Sequence, residues 1–109
     1  MTTTKQGRLS GLSTLVTGAT RGVGKAVALA FAVEGANVAA LDIDSPGLER
    51  LAAEIEKQGT RCVALQAGLE SLEAIERAAE QAFDALGDIH VLVNNSEAHL
   101  QRSLIETTD

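Results

Sequence analysis

The sequence TGATRGVG, from Thr17 to Gly24, decides the fold of this chain. It follows the short apolar stretch Ser13–Val16 and leads into an alanine-rich helical pattern from Lys25 to Val33. A strand that stops at glycines and restarts as a helix aims its first free backbone N–H groups at whatever lies above the turn. These donors and the positive end of the helix dipole suit a phosphate group. The stretch therefore predicts a nucleotide-binding turn.

Length and composition predict a single globular domain over residues 1–109, with 45% hydrophobic and 22% charged residues. The formal charge of −6 argues against nucleic acid or an anionic membrane as a partner, because both repel an acidic surface. No apolar run approaches the length of a membrane span. The first eight residues lack the hydrophobic segment of a secretory signal, so we expect a cytoplasmic location. The single cysteine, Cys62, lies in an apolar run and indicates a buried, unreactive thiol rather than a metal site.

Strand and helix patterns alternate along the whole chain. The predicted strands are Leu12–Thr17, Asn37–Leu41, Arg61–Ala67 and Ile89–Val93, and helical patterns separate them at residues 23–34, 45–58 and 71–86. The strands are continuous apolar runs, which is typical of strands covered by helices on both faces of a parallel sheet. Right-handed crossovers then predict a Rossmann-like, doubly wound α/β sheet of four strands in the order 3-2-1-4.

Capping residues mark where the helices begin. Ser45 is the expected N-cap of the second helix with Pro46 at its first position, and Ser71 is the expected cap of the third. The third helix places apolar residues at helical spacing, among them Phe83. Residues 96–109 form a polar tail in which we expect disorder. The tail ends on Thr-Thr-Asp, a cap with no helix after it, which favours a sequence that has been cut short.

Spacing separates two kinds of glycine motif. A P-loop requires a glycine, four residues, and then Gly-Lys followed by a hydroxyl residue. Counting back from Gly24-Lys25 reaches Ala19, and the next residue is Ala26, so a P-loop is excluded. The spacing Gly-x-x-x-Gly-x-Gly is closer to a dinucleotide-binding turn.

The same spacing resembles the cofactor fingerprint of the short-chain dehydrogenase/reductase family. Two further features match that family in register, namely Asp42 at the end of the second strand and Asn94-Asn95 at the end of the fourth. The resemblance covers nearly the whole chain and implies a Rossmann-like sheet that binds NAD or NADP. The residues that it implies for the cofactor site are Gly18, Thr20, Arg21, Gly22, Val23, Asp42 and Asn94.

Two charged residues bear on the choice of cofactor. Asp42 lies close to the offset at which a ribose-binding acid is expected after the glycine turn, and a carboxylate there accepts hydrogen bonds from the adenosine diol and repels a 2′-phosphate. Arg21 favours NADP instead, because a basic residue in this turn often accompanies NADP in the family. We give Asp42 more weight than Arg21 and predict that the cofactor is NAD. The simpler alternative is that Asp42 is an acid flanking the second helix.

Two departures from the family pattern argue for weaker binding. The family usually has an adenine-binding Asp after the third strand, where this chain has Gly68, and it has Asn-Asn-Ala-Gly where this chain places Glu97 in the last position. Each change costs on the order of 1–3 kcal/mol if a polar contact is lost, so together they could weaken binding a hundredfold.

Candidates for catalysis are few. In the family a Tyr, a Lys four residues later, a Ser and an Asn transfer the proton, whereas this sequence contains no tyrosine. His90 lies in a predicted strand and is expected to be a core histidine with its hydrogen bonds satisfied. His99 is expected to be solvated, and Ser96 has no base at a recognisable spacing. We therefore expect no hydride transfer by this chain alone.

The fourth predicted strand, Ile89–Val93, would be an exposed apolar edge, which predicts self-association. Three interpretations remain open at this point. The chain is the cofactor-binding part of a short-chain dehydrogenase/reductase, a non-enzymatic interaction module that keeps only the fold, or one half of a site that a partner chain completes. The substrate is not indicated by any residue.

Overall fold

The computed structural model describes residues 7–68 and 71–95 of the chain. Strands and helices alternate through these residues, in the order β1 (Ser13–Thr17), α1 (Gly22–Val33), β2 (Asn37–Asp42), α2 (Ser45–Glu56), β3 (Cys62–Gln66), α3 (Leu72–Leu86) and β4 (Val91–Asn94). The strands form one parallel sheet in the order β3-β2-β1-β4. The predicted Rossmann-like architecture and its strand order are confirmed.

Successive residues of the two central strands face opposite helical layers. Val16 of β1 and Val38 and Ala40 of β2 pack against α1 and α2, whereas Leu15 and Ala39 pack on the side of α3. Both central strands are almost completely buried, which explains the apolar run Val38–Leu41 of β2. In β1 the buried hydroxyls of Ser13, Thr14 and Thr17 each donate a hydrogen bond. Because many of the contacts are made by alanine, the helices can lie close to the sheet.

Helix α2 begins differently from our prediction. Its N-cap is Asp44 rather than Ser45, because Asp44 has extended backbone angles and its side chain accepts a hydrogen bond from the N–H of Gly47 at 3.0 Å. Pro46 is therefore the second helical residue instead of the first. The predicted cap of α3 is confirmed, since the Ser71 hydroxyl oxygen accepts from the N–H of Ala74 at 3.2 Å.

The region around β4 corrects three predictions. The strand begins at Val91 instead of Ile89, because Ile89 packs beneath α3 and His90 lies in the connection before the strand. His90 is exposed rather than a core residue, although its Nδ1 accepts from the Ser13 N–H at 3.0 Å. Phe83 is 54% exposed, because the buried stripe of α3 runs instead through Ile75 and the alanines that follow it.

The sheet has β4 at one edge, where it pairs with β1 alone among the described residues. Leu92 lies beside Leu15 in this pairing and is 47% exposed. The predictions for Ser96, Glu97, His99 and the polar tail 96–109 fall outside the described residues. Within the described ranges, no helix is long and apolar enough to cross a membrane.

Candidate dinucleotide-binding site

The glycine turn connects the carboxyl end of β1 to the start of α1. Gly18 and Gly22 have positive φ angles of 61° and 57°, which reverse the chain between strand and helix. The turn lies where the strand order changes direction, because β1 has β2 on one side and β4 on the other. Ligands of open α/β sheets bind outside the carboxyl ends of the strands at such a point.

Gly24 is needed for the close packing of this turn. An ideal Cβ at Gly24 would lie 2.1 Å from the carbonyl oxygen of Gly18 and 2.8 Å from Nδ2 of Asn95. A Cβ at Gly18 would lie 2.5 Å from the carbonyl oxygen of Asn95. The strand end, the helix and the residue after β4 therefore approach each other at distances that only glycine allows.

Thr17 ties the glycine turn to the end of β4. Its hydroxyl donates to Oδ1 of Asn94 at 3.1 Å and accepts from the N–H of Asn95 at 2.9 Å. The Asn95 side chain also donates to the carbonyl of Gly18 at 3.5 Å. Asn94 therefore lies beside the glycine turn, and its contact with the cofactor stays a prediction. Asn95 was not among the predicted site residues, although its N–H and its side chain bond to Thr17 and Gly18.

The start of α1 is open. Its N-cap residue, Arg21, makes no side-chain hydrogen bond to the first turn, and the Lys25 N–H is bonded to the Arg21 carbonyl at 3.3 Å. Arg21, Gly22 and Val23 are all exposed, and within the described residues a Cβ at Gly22 would meet no atom within 4 Å. The first N–H groups of a helix have no partner within it. This turn therefore offers backbone donors, the positive end of a dipole and free space, which fits a diphosphate.

Asp42 stands at the carboxyl end of β2 beside this turn and is 3% exposed. One carboxylate oxygen accepts from the N–H and the hydroxyl of Thr20, at 3.1 and 2.9 Å. The other accepts from the N–H groups of Ile43 and Asp44, at 2.7 and 3.2 Å. Burial alone raises the pKa of Asp42, but these hydrogen bonds outweigh it and hold the pKa below the ordinary 3.8. The carboxylate is therefore ionised at neutral pH.

The predicted site residues thus come together at the carboxyl ends of the strands. Gly18, Thr20, Arg21, Gly22 and Val23 form the turn, with Asp42 on one side of it and Asn94 on the other. Gly68 follows the carboxyl end of β3 and has no side chain with which to bind an adenine group. The contact between Asp42 and the adenosine diol stays a prediction, as do the cofactor contacts of the other residues.

Cys62 and His90 lie at the opposite side of the sheet from the glycine turn, where the strands begin. Each is next to or at the amino end of its parallel strand, whereas the glycine turn is at the carboxyl ends. Cys62 packs partly against the core, where burial and the negative charge of Glu56 raise the pKa of its thiol to about 12. This agrees with the expected unreactive thiol, because the thiolate is the nucleophilic form.

Sequence and fold comparisons agree with this geometry. Residues 13–109 match the short chain dehydrogenase family. The chain is 46% identical over 82 residues to 1-deoxy-11-beta-hydroxypentalenate dehydrogenase of Streptomyces arenae, which covers 75% of this chain and 29% of that protein. The chain belongs to the short chain dehydrogenase family.

Solved structures of the same fold contain either nicotinamide dinucleotide. Carveol dehydrogenase from Mycobacterium avium in complex with NAD has a TM-score of 0.79 and 27% identity, over 84% of this chain and 37% of that one. L-sorbose reductase from Gluconobacter frateurii, complexed with NADPH and L-sorbose, has a TM-score of 0.77 and 28% identity, over 83% and 35%. The chain therefore spans about a third of the length of these relatives.

Proposed function

We propose that the glycine turn of this chain binds the diphosphate of a nicotinamide dinucleotide. The observation that carries the proposal is the start of α1 at the switch point of the sheet, where no side chain caps the helix and no atom of the described residues lies within 4 Å of a Cβ at Gly22. The NAD complex of the similar carveol dehydrogenase supports it. By the family resemblance Thr20, Arg21 and Val23 would line the dinucleotide site, with Asn94 on the side of β4.

We propose NAD in preference to NADP. The ionised Asp42 lies beside the turn, and its negative charge would disfavour a ligand with an added 2′-phosphate. Arg21 is the exposed basic residue that would favour NADP, and it lies in the turn itself. Because a buried carboxylate is fixed in place and Arg21 is a flexible exposed side chain, we expect the effect of Asp42 to dominate.

Calorimetric titration of the 109-residue chain with NAD, NADH and NADP tests both statements. We expect saturable binding of NAD and NADH, and binding of NADP that is weaker by on the order of tenfold. Arg21→Gln should widen this preference, with Arg50→Gln on the exposed side of α2 as the control. Absence of NAD binding at about 1 mM would refute the cofactor site, and tighter binding of NADP would refute the preference.

We further propose that these 109 residues do not transfer hydride alone. The family uses a tyrosine for proton transfer, and the sequence contains none. Gly68 and Glu97 favour the alternative interpretation, a fold that has lost cofactor affinity. If that alternative holds, Gly68→Asp combined with Glu97→Gly should increase NAD affinity by an order of magnitude or more. An unchanged affinity would show that these two positions do not limit binding.

The edge strand β4 supports a second proposal, self-association. Within the described residues β4 pairs with β1 alone and carries Leu92, which is 47% exposed, and an apolar edge strand can pair with a strand of another chain. Sedimentation equilibrium should therefore show a concentration-dependent increase in mass, and Leu92→Lys should reduce it. Val33→Lys, at an exposed position of α1, is the control. A monomer at all concentrations would contradict the proposal.

A further inference from the structure

Asp42 is unusual among the site residues because its hydrogen-bonding capacity is already used within the protein. A carboxylate has about four acceptor positions on its two oxygens. Here the two oxygens accept from the Thr20 N–H and hydroxyl and from the N–H groups of Ile43 and Asp44. The side chain is also 3% exposed, so little of it is available to a ligand.

The donors come from two separate segments of the chain. Thr20 belongs to the glycine turn after β1, whereas Ile43 and Asp44 belong to the turn between β2 and α2. Asp44 in turn caps α2, and a Cβ at Gly47 would lie 2.9 Å from Cβ of Thr20. Thr20 is thus held between the Asp42 carboxylate and the first turn of α2.

We propose that Asp42 is a positioning residue, which fixes the shape of the glycine turn through Thr20 instead of holding the adenosine diol itself. The proposal deepens the proposed dinucleotide site and rests on it. The carboxylate fixes Thr20, the residue directly before Arg21, and so fixes the direction in which the first N–H groups of α1 point. The shared hydrogen bonds of Thr20 and Asp42 are called the Thr20–Asp42 bracket below.

The two possible roles of Asp42 predict different affinities for a ligand that lacks the adenosine 2′- and 3′-hydroxyls. If Asp42 held the diol, ADP would bind more tightly than 2′,3′-dideoxy-ADP, and Asp42→Asn would remove that preference. If Asp42 holds the turn, Asp42→Asn lowers the affinity for both ligands by the same factor, on the order of tenfold, and leaves the ratio of the two affinities unchanged. The reason is that both ligands carry the diphosphate that the turn binds.

Thr20 supplies a milder variant that does not depend on the stability of Asp42→Asn. Thr20→Val keeps the shape and the N–H but removes the hydroxyl donor at 2.9 Å, whereas Thr20→Ser keeps the donor. We expect Thr20→Val to weaken both ADP and its dideoxy analogue equally, and Thr20→Ser to restore binding to near the original level. If Thr20→Val weakened the binding of ADP but not that of the dideoxy analogue, the proposed role of the Thr20–Asp42 bracket would be refuted.

The pH dependence of unfolding gives a test without ligand. The pKa of Asp42 is lower in the folded chain than its ordinary 3.8, so its contribution to stability is present above that pH and is lost as the pH falls through the folded value. Asp42→Asn should therefore flatten the loss of thermal stability below about pH 4. Asp84→Asn, at an exposed carboxylate of α3, is the matched control for the substitution.

The decisive experiment combines both measurements on the full 109-residue chain. Thr20→Val, Asp42→Asn and the double variant are melted at pH 7, and each is titrated with ADP and with 2′,3′-dideoxy-ADP. We expect Thr20→Val to lower the melting temperature by about 5 °C in the original chain and by much less when Asp42 is already Asn. Additive shifts, or a changed ratio between the two ligands, would overturn the bracket. Failure of the original chain to bind either ligand would instead refute the dinucleotide site, while the melting data still decide on the bracket.

Discussion

Helices α1 and α2 both begin just beyond the carboxyl end of a central strand, and they begin in opposite ways. At the start of α2 the Asp44 side chain accepts from the Gly47 N–H, whereas Arg21 makes no such bond at the start of α1. Capping of this kind is worth about 1 kcal/mol. The difference shows that α1 begins without the side-chain cap that stabilises the start of α2, at the turn where we propose that the diphosphate binds.

The glycines of the two helix starts differ in the same way. A Cβ at Gly24 of α1 would collide with the backbone carbonyl of Gly18, whereas a Cβ at Gly47 of α2 would collide with the carboxylate of Asp44. The first glycine allows two backbone segments to approach, and the second makes room for a capping side chain. The start of α1 is therefore formed by backbone, and the start of α2 by side chains.

The largest effect is expected from Gly24→Ala. Its Cβ would lie 2.1 Å from the Gly18 carbonyl oxygen, so the turn must move. We expect the free energy of unfolding in urea to fall by about 2–3 kcal/mol and NAD binding to be lost. Gly59→Ala, where a Cβ meets no atom within 4 Å, should cost about 1 kcal/mol and leave binding intact. Equal effects of the two substitutions would contradict the close packing of the turn.

A smaller effect is expected from Asp44→Ala at the start of α2. The loss of its bond to the Gly47 N–H should lower the free energy of unfolding by about 1 kcal/mol. Asp44→Asn, which keeps a capping oxygen, should restore most of this stability. If Asp44→Ala left the urea unfolding curve unchanged, the cap would contribute nothing and the contrast with α1 would disappear.

The smallest effect is expected from giving α1 the cap that it lacks. Arg21 already has the extended backbone of an N-cap, with φ −153° and ψ 162°. Arg21→Ser should therefore raise the free energy of unfolding by about 0.5–1 kcal/mol and weaken NAD severalfold, because the new hydroxyl competes for the donors that the ligand uses. Arg50→Ser on α2 is the control. Tighter NAD binding by Arg21→Ser would contradict the proposed use of these donors.

The strand order was predictable from sequence, and so was the placement of the predicted site residues at the carboxyl ends of the strands, because both follow from patterns that span many residues. Continuous apolar strands, alternating helices and right-handed crossovers leave few arrangements, and the structure has the predicted one. The glycine spacing likewise indicated the family to which the chain belongs.

Choices between neighbouring residues were not predictable. Ser45 and Asp44 are both good caps, and Asp44 is the one used, in a position where its own N–H also donates to Asp42. Ile89 and His90 looked like part of β4, but Ile89 packs beneath α3 and the His90 ring bonds to Ser13. The satisfied state of Asp42 depends on how two distant turns meet, which no local pattern records.

The central claim, that a diphosphate lies against the start of α1, is tested most directly at Gly22. This residue has a φ of +57°, and no atom of the part of the chain that the structure describes lies within 4 Å of where a Cβ would stand. Asn and Asp tolerate that conformation better than other side chains. Gly22→Asn and Gly22→Asp have nearly the same shape and differ by one negative charge. Calorimetric titration with NAD should show the Asp variant binding on the order of tenfold more weakly than the Asn variant at low ionic strength, with the difference shrinking as salt is added. Equal affinities of the two variants would contradict a phosphate site at this turn.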